Sequence, residues 1–211
     1  MKLRNFWKRR AALAALFVAY FASVQPTWAR PRSEPPETVL WAGDVHNLML
    51  DTAFPNESDT CRLQMYNGSR TADTRPYQAV DYAYMHGMRK KGQSEAEAIG
   101  KFWAFIDSKY AEARLLERSG RMDDACFSRG MALHPVMDST SPAHRGFQEW
   151  DPIDIKAVFQ HGDFFRYIEP LVPLLSDPSV EDMNYIDDHP EALTATADLI
   201  RAVDAVVMAG Q

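Results

Sequence analysis

Apolar side chains recur along this chain at three- to four-residue intervals, and no stretch alternates as a half-buried strand does. Leu40, Val45, Leu48 and Met49 predict a first helix over residues 38–54. Residues 55–76 are polar and without a period, which reads as a long connection. Val80, Tyr84 and Met88 mark one face of a second helix over 77–91, closed by Gly92. Ser94 and Glu97 then form a capping box. Ile99, Phe102, Trp103, Ile106, Tyr110, Ala113 and Leu116 follow at helical spacing over 95–118.

Asp123 and Asp124 suit a helix first turn, and Cys126, Phe127, Met131 and Leu133 continue that helix to Pro135, where a kink or a new turn is expected. Residues 145–152 read as a loop, and 153–175 as a helix broken near Pro170 and Pro173. Pro190 opens a last helix with a stripe of Leu193, Ala197, Ile200, Val203 and Val207, ended by Gly210. His189, just before that proline, reads as a capping residue. The expectation is an all-α domain of about six or seven helices.

The N-terminus changes the boundaries. Lys2, Arg4, Lys8, Arg9 and Arg10 precede an apolar run at 11–24, and Thr27-Trp28-Ala29 offers small residues for cleavage. That is the pattern of a signal peptide over 1–29, followed by a proline-rich linker over 30–37 and one domain over 38–211. The run is short of the roughly 20 residues a spanning helix needs, although an uncleaved anchor stays open. Export to the periplasm or beyond makes a Cys61–Cys126 disulfide the default, the alternative being two buried thiols.

Composition narrows the chemistry. With 211 residues, 46% of them hydrophobic, the chain can bury one real core. A net charge of −6 argues against a general nucleic-acid binder. Six histidines are ordinary in number, so only their placement is informative. His134, Asp138 and His144 stand at the spacing H-x3-D-x5-H. On a helix His134 and Asp138 lie one turn apart on one face. The Ser141-Pro142 step breaks the helix and lets His144 fold back. Imidazole and carboxylate together suit zinc or another divalent first-row ion. A capping aspartate with two surface or core histidines is the plainer alternative.

With His46, Asp73 and His86 upstream, the order H…D…H…H-x3-D-x5-H resembles the zinc-dependent phospholipase C superfamily, which includes single-strand nucleases of related fold. Its local phrasing more closely resembles bacterial relatives at the ends of large toxin proteins, with HAMR-like and LHxxxDxxSPxHxGFQxW-like stretches. Here these stand as His86-Gly87-Met88-Arg89 and as residues 133–150. The resemblance spans roughly residues 38–165. It implies a compact helical bundle of phospholipase C and nuclease type. His46, Asp73, His86, His134, Asp138 and His144 would be metal ligands, with Asp138 bridging.

Such relatives close their site with H-x3-E. This chain has His161 followed four residues later by Phe165, and Asp163 as the substitute ligand. The implied cofactor is zinc, two ions or at most three. Asp73, read as arriving on a loop, would orient the attacking water and take its proton. Gln78, Asp81 and Tyr84 are the expected supports of the ligands. Phe147, Trp150, Phe164 and Phe165 are either core or a surface for acyl chains. The expected function is an exported metal-dependent phosphodiesterase acting on a phosphoester, phospholipid included, with contact to a membrane surface. A nuclease or nucleotidase on the same scaffold is the first alternative, without binding to double-stranded nucleic acid. A non-catalytic helical protein holding a structural metal is the second. No obligate protein partner is implied.

Overall fold

The computed structural model describes residues 43–141, 144, 146–150, 186–187 and 189–209. The signal peptide expected at 1–29, the linker expected at 30–37, the helix expected at 153–175, His161, Asp163, Phe164 and Phe165 lie outside them. The protein is all-α. Among the described residues no strand forms, and Arg89 and Glu149 make an isolated backbone bridge. No helix among them is long and apolar enough to cross a membrane.

Helix α1, Gly43–Ala53, buries Val45, His46, Met49, Leu50 and Ala53, which share one face. It stops before Pro55, whose ring disfavours helical dihedrals at Phe54. Helix α2, Asp59–Ala72, corrects the reading of 55–76 as a loop. Ser58 caps it, its Oγ accepting the Cys61 N–H at 3.2 Å. The buried face is Cys61, Met65, Gly68, Ser69 and Ala72. The period is helical, but the side chains are small or polar, so little apolar contrast marks it.

The helix expected at 77–91 is instead two 3-10 helices, Arg75–Tyr77 and Val80–His86. Gly87, at φ 63°, ends the second. Tyr77, Tyr82, Tyr84, Phe105 and Phe127 pack around Met85, Ala72 and Met131, which seats this segment on the bundle.

Helix α3, Glu95–Arg118, has the expected bounds, with Ser94 Oγ accepting the Glu97 N–H at 3.3 Å. Its face of Phe102, Trp103, Ile106 and Tyr110 is buried. A fully buried aromatic or aliphatic side chain contributes about 1.5–3 kcal/mol.

Helix α4, Met122–Asp138, runs through Pro135 without a break and is buried almost continuously from Ala125. The proline removes one N–H from the ladder, yet its carbonyl still accepts the Ser139 N–H at 3.0 Å. The helix ends at Asp138, ahead of the Ser141-Pro142 step expected to break it. Helix α5, Pro190–Met208, has proline in its first turn and lays Ala197, Ile200, Val203 and Val207 on the core. His189 occupies its N-cap position.

α4 is the centre of the bundle, packed between α2 and α3, while α5 covers α1. Cys61 and Cys126 form a disulfide, with Cα atoms 5.3 Å apart, that joins helix α2 to α4 rather than a loop to a helix. Glycines let the same two helices meet backbone to backbone. A Cβ at Gly68 would sit 2.0 Å from the Phe127 carbonyl oxygen, and one at Gly130 would sit 2.0 Å from that of Met65. On the other side, Arg129 Nη2 and Tyr110 Oη both donate to Asp204 Oδ1, at 3.1 and 2.7 Å, which pins α5 to α4 and α3.

Candidate metal centre

Six of the eight ligand candidates read from the sequence meet around the C-terminal end of α4. His134 and Asp138 project from its last turn. His46 comes from α1. Asp73 is the C-cap of α2, so it arrives at a helix end and not on a free loop. His86 closes the second 3-10 helix. His144 lies in the turn after α4, its N–H donating to the Ser141 carbonyl at 3.2 Å. The other two, His161 and Asp163, fall outside the described residues.

Asp138 is the hub, and it is buried. Its Oδ1 lies 3.0 Å from His46 Nε2. Its Oδ2 lies 2.9 Å from His86 Nδ1, 3.0 Å from His134 Nε2 and 3.8 Å from His144 Nδ1. Asp73 Oδ1 approaches from outside, 3.4 Å from His134 Nε2 and 3.8 Å from His86 Nδ1. His46, His86, His134 and His144 are all buried. The Asp73 side chain keeps 40% of its surface exposed, so the cluster opens to solvent at Asp73.

Neighbouring groups set the tautomer of His86. Its Nε2 faces the Tyr77 carbonyl at 3.3 Å, and a carbonyl only accepts, so the proton sits on Nε2. A neutral ring then turns the Nδ1 lone pair toward a carboxylate 2.9 Å away and toward His134 Nε2 at 3.2 Å. Acceptor facing acceptor at that distance requires a positive charge between them, either a proton or a metal ion. Burial opposes a charged His86, but Asp138 and Asp73 outweigh it and raise the pKa. Burial likewise opposes a charged Asp138, yet His134, His46 and His86 hold its carboxyl well below the ordinary range. His144 is different: burial pushes it down to about 4, so it is neutral at pH 7.

The donor set fits a metal. Asp73, His86, His134 and Asp138 each offer one atom, all within 4.8 Å of one another. Tetrahedral ligands about 2.1 Å from zinc lie about 3.4 Å apart. The separations of 2.9, 3.0, 3.2, 3.4 and 3.8 Å bracket that value. This group can therefore hold a metal ion. Both His46 nitrogens and His144 Nδ1 are buried without a hydrogen-bond partner, although His46 Nε2 lies close to Asp138. Buried polar atoms seldom stay unsatisfied. His46 Nε2 and His144 Nδ1 face the same carboxylate, at 3.0 and 3.8 Å, as ligand atoms would.

The supports differ from those expected. Asp81 pairs with Lys90 at the surface, and Tyr84 packs on Phe105 and Tyr82. Gln78 Nε2 donates only to the Asp73 backbone carbonyl, at 3.2 Å. His134 Nδ1 instead meets the buried Ser69 Oγ at 3.3 Å, and His86 meets the Tyr77 carbonyl. Neither was legible: one is a serine within an apparent loop, the other a main-chain atom. Gly87 matters by its size, because a Cβ there would come within 2.8 Å of the Ser139 Cα and hold His86 away from Asp138. Of the two described aromatics assigned to core or an acyl surface, Phe147 is core, edge-on to Phe102 at 5.4 Å. Trp150 stacks on His86. No family model, curated protein or solved structure matches this chain.

Proposed function

We propose that this protein is a metal-dependent phosphoester hydrolase of phospholipase C type. The observation that carries the reading is the convergence of four buried histidines, His46, His86, His134 and His144, on the buried Asp138 carboxylate, with the partly exposed Asp73 at the rim. A purely structural metal site is closed on all sides, whereas a catalytic one keeps an open position. Asp73 marks the open side here.

His86, His134, Asp138 and Asp73 would hold one zinc ion. His46 and His144, which also face the Asp138 carboxylate, would be the ligands available to a second. When bound, the metal supplies Lewis acidity toward a phosphoryl oxygen and acidifies water. The protein residues do the rest. Asp138 keeps its negative charge in the interior and draws the cations to one place. Ser69 and the Tyr77 carbonyl fix the ring orientations of His134 and His86. Asp73, at the solvent edge, orients the attacking water and accepts its proton on the carboxylate.

The test measures bound zinc by elemental analysis and follows hydrolysis of p-nitrophenyl phosphocholine, bis-p-nitrophenyl phosphate, a mononucleotide and single-stranded DNA. We expect stoichiometric zinc and turnover of a phosphodiester, abolished by chelation and restored by zinc. Activity confined to nucleotide or DNA would assign the nuclease alternative. Metal without turnover of any of the four would leave a structural metal centre, and neither metal nor turnover would overturn the reading.

A further inference from the structure

Trp150 lies face to face with His86, ring centroids 5.0 Å apart and planes 21° from parallel. The indole is also tilted toward His144 at 6.3 Å. A bracket of main-chain and charged contacts holds it there. The Trp150 N–H donates to the Arg89 carbonyl at 2.7 Å, and the Arg89 N–H donates to the Gln148 carbonyl at 3.0 Å. Between them, Arg89 Nη1 donates to Glu149 Oε1 at 2.7 Å. That same oxygen accepts the Gly92 N–H at 3.1 Å. Arg89 Nη1 also caps the Gln93 carbonyl at 3.0 Å. Two segments 60 residues apart are thus locked in register beside His86.

A single hydrogen bond does not fix an imidazole. The contact of His86 Nε2 with the Tyr77 carbonyl sets a direction within the ring plane, and a pivot about that axis would carry Nδ1 off Asp138 and His134. A stacked indole removes the pivot and keeps water off one ring face. We infer that Trp150 is a positioning residue for the metal centre, holding the His86 plane so that Nδ1 meets Asp138 and His134, and that the Arg89–Glu149 pair sets the position of Trp150. This inference rests on the reading of the cluster as a metal site.

Cobalt affinity and the visible spectrum of the cobalt-loaded protein test it, for wild type, Trp150→Phe, Trp150→Ala and Glu149→Gln. Trp150→Ala is expected to weaken cobalt binding about 10- to 100-fold and alter the spectrum, as loss of a ligand-orienting contact does. Trp150→Phe, which keeps a stacking face, should stay within about 3-fold of wild type, and Glu149→Gln should fall between the two. A role in folding alone would lower the thermal midpoint of the chelated protein and leave spectrum and affinity unmoved. Unchanged affinity in Trp150→Ala and Glu149→Gln overturns the positioning role. A wild-type protein that takes up no cobalt overturns the metal site itself, a distinguishable result. If Trp150→Ala does not fold, the Glu149→Gln affinity decides.

Discussion

His86 Nδ1 and Asp138 Oδ2 stand 2.9 Å apart across 52 residues of chain, both buried, on a 3-10 helix and the central helix respectively. Such a contact cannot be a surface accident, because desolvating a carboxylate costs several kcal/mol unless it is well partnered. Three histidines supply those partners, each with a ring nitrogen within 3.0 Å of the carboxylate.

Asp138→Asn keeps the shape and removes the charge. The cluster then keeps only the partly exposed Asp73 as an anion and leaves three imidazoles facing an amide. We expect loss of stoichiometric metal. In chelated protein we expect about 3 kcal/mol of destabilisation, the magnitude for breaking a buried charged pair. Elemental analysis and urea titration in chelator measure the two effects separately. A variant that retains metal would remove Asp138 from the centre.

How much of this was legible follows from which side chains carry the signal. Helix α3 declared itself through large apolar residues at strict spacing and a Ser94 cap, and its bounds coincide with the expected ones. The six converging ligand candidates were recognisable because the order of His and Asp along the chain, with the spacing H-x3-D-x5-H, is distinctive. Helix α2 was not, since three of the five residues of its buried face are the small Gly68, Ser69 and Ala72, which carry little apolar signal until a partner backbone covers them. The segment before His86 has helical spacing, but its 3-10 geometry depends on an aromatic cluster that forms only in the fold.

The chelated protein should lose stability as pH falls from 6.5 toward 4, through His144. An exposed histidine titrates near 6.5, and burial lowers His144 to about 4 in the folded state. Between those values the unfolded chain binds a proton that the folded chain does not, so stability rises with pH there. The slope is about 1.4 kcal/mol per pH unit for one such group. His86 has the opposite shift, so its contribution is present below 6.5 and lost as pH rises through its folded pKa. The contribution of Asp138 is full above 3.8 and is lost only as pH falls below that value toward its lowered folded pKa. Urea midpoints for wild type and His144→Gln over this window isolate the effect. Parallel curves would show that His144 does not titrate as placed.

The Cys61–Cys126 disulfide closes a separation of 65 residues between α2 and α4. Loop-closure entropy for such a span is worth about 4 kcal/mol. A Cys61→Ser, Cys126→Ser double variant should therefore melt about 10 °C lower. The metal ligands are not moved directly, so cobalt affinity should change far less than stability. Calorimetry and metal titration of the same variant separate the two. A collapse of metal binding in a folded, reduced protein would mean that the bond, rather than the helix crossing, positions Ser69 against His134.

Glycine substitutions should have opposite signs at two positions on helices. Gly100, on the exposed face of α3, has nothing within 4 Å of a built Cβ. Gly100→Ala should stabilise by about 0.5–1 kcal/mol, because alanine restricts the unfolded chain and favours the helix. Gly68→Ala places a methyl 2.0 Å from the Phe127 carbonyl oxygen and 2.9 Å from the Met131 amide nitrogen. Both are backbone atoms of a buried helix and cannot swing aside, so α2 and α4 must separate. Overpacking of this kind costs about 1–3 kcal/mol and more where backbone must move. Separation also draws Ser69, the next residue, away from His134 Nδ1, which it now meets at 3.3 Å. We therefore expect Gly68→Ala to lose at least about 3 kcal/mol and to weaken metal binding about 10-fold. Urea titration and cobalt titration check the pair. If Gly68→Ala were as stable as Gly100→Ala, the close crossing would not be what holds α2, and with it Asp73, against α4.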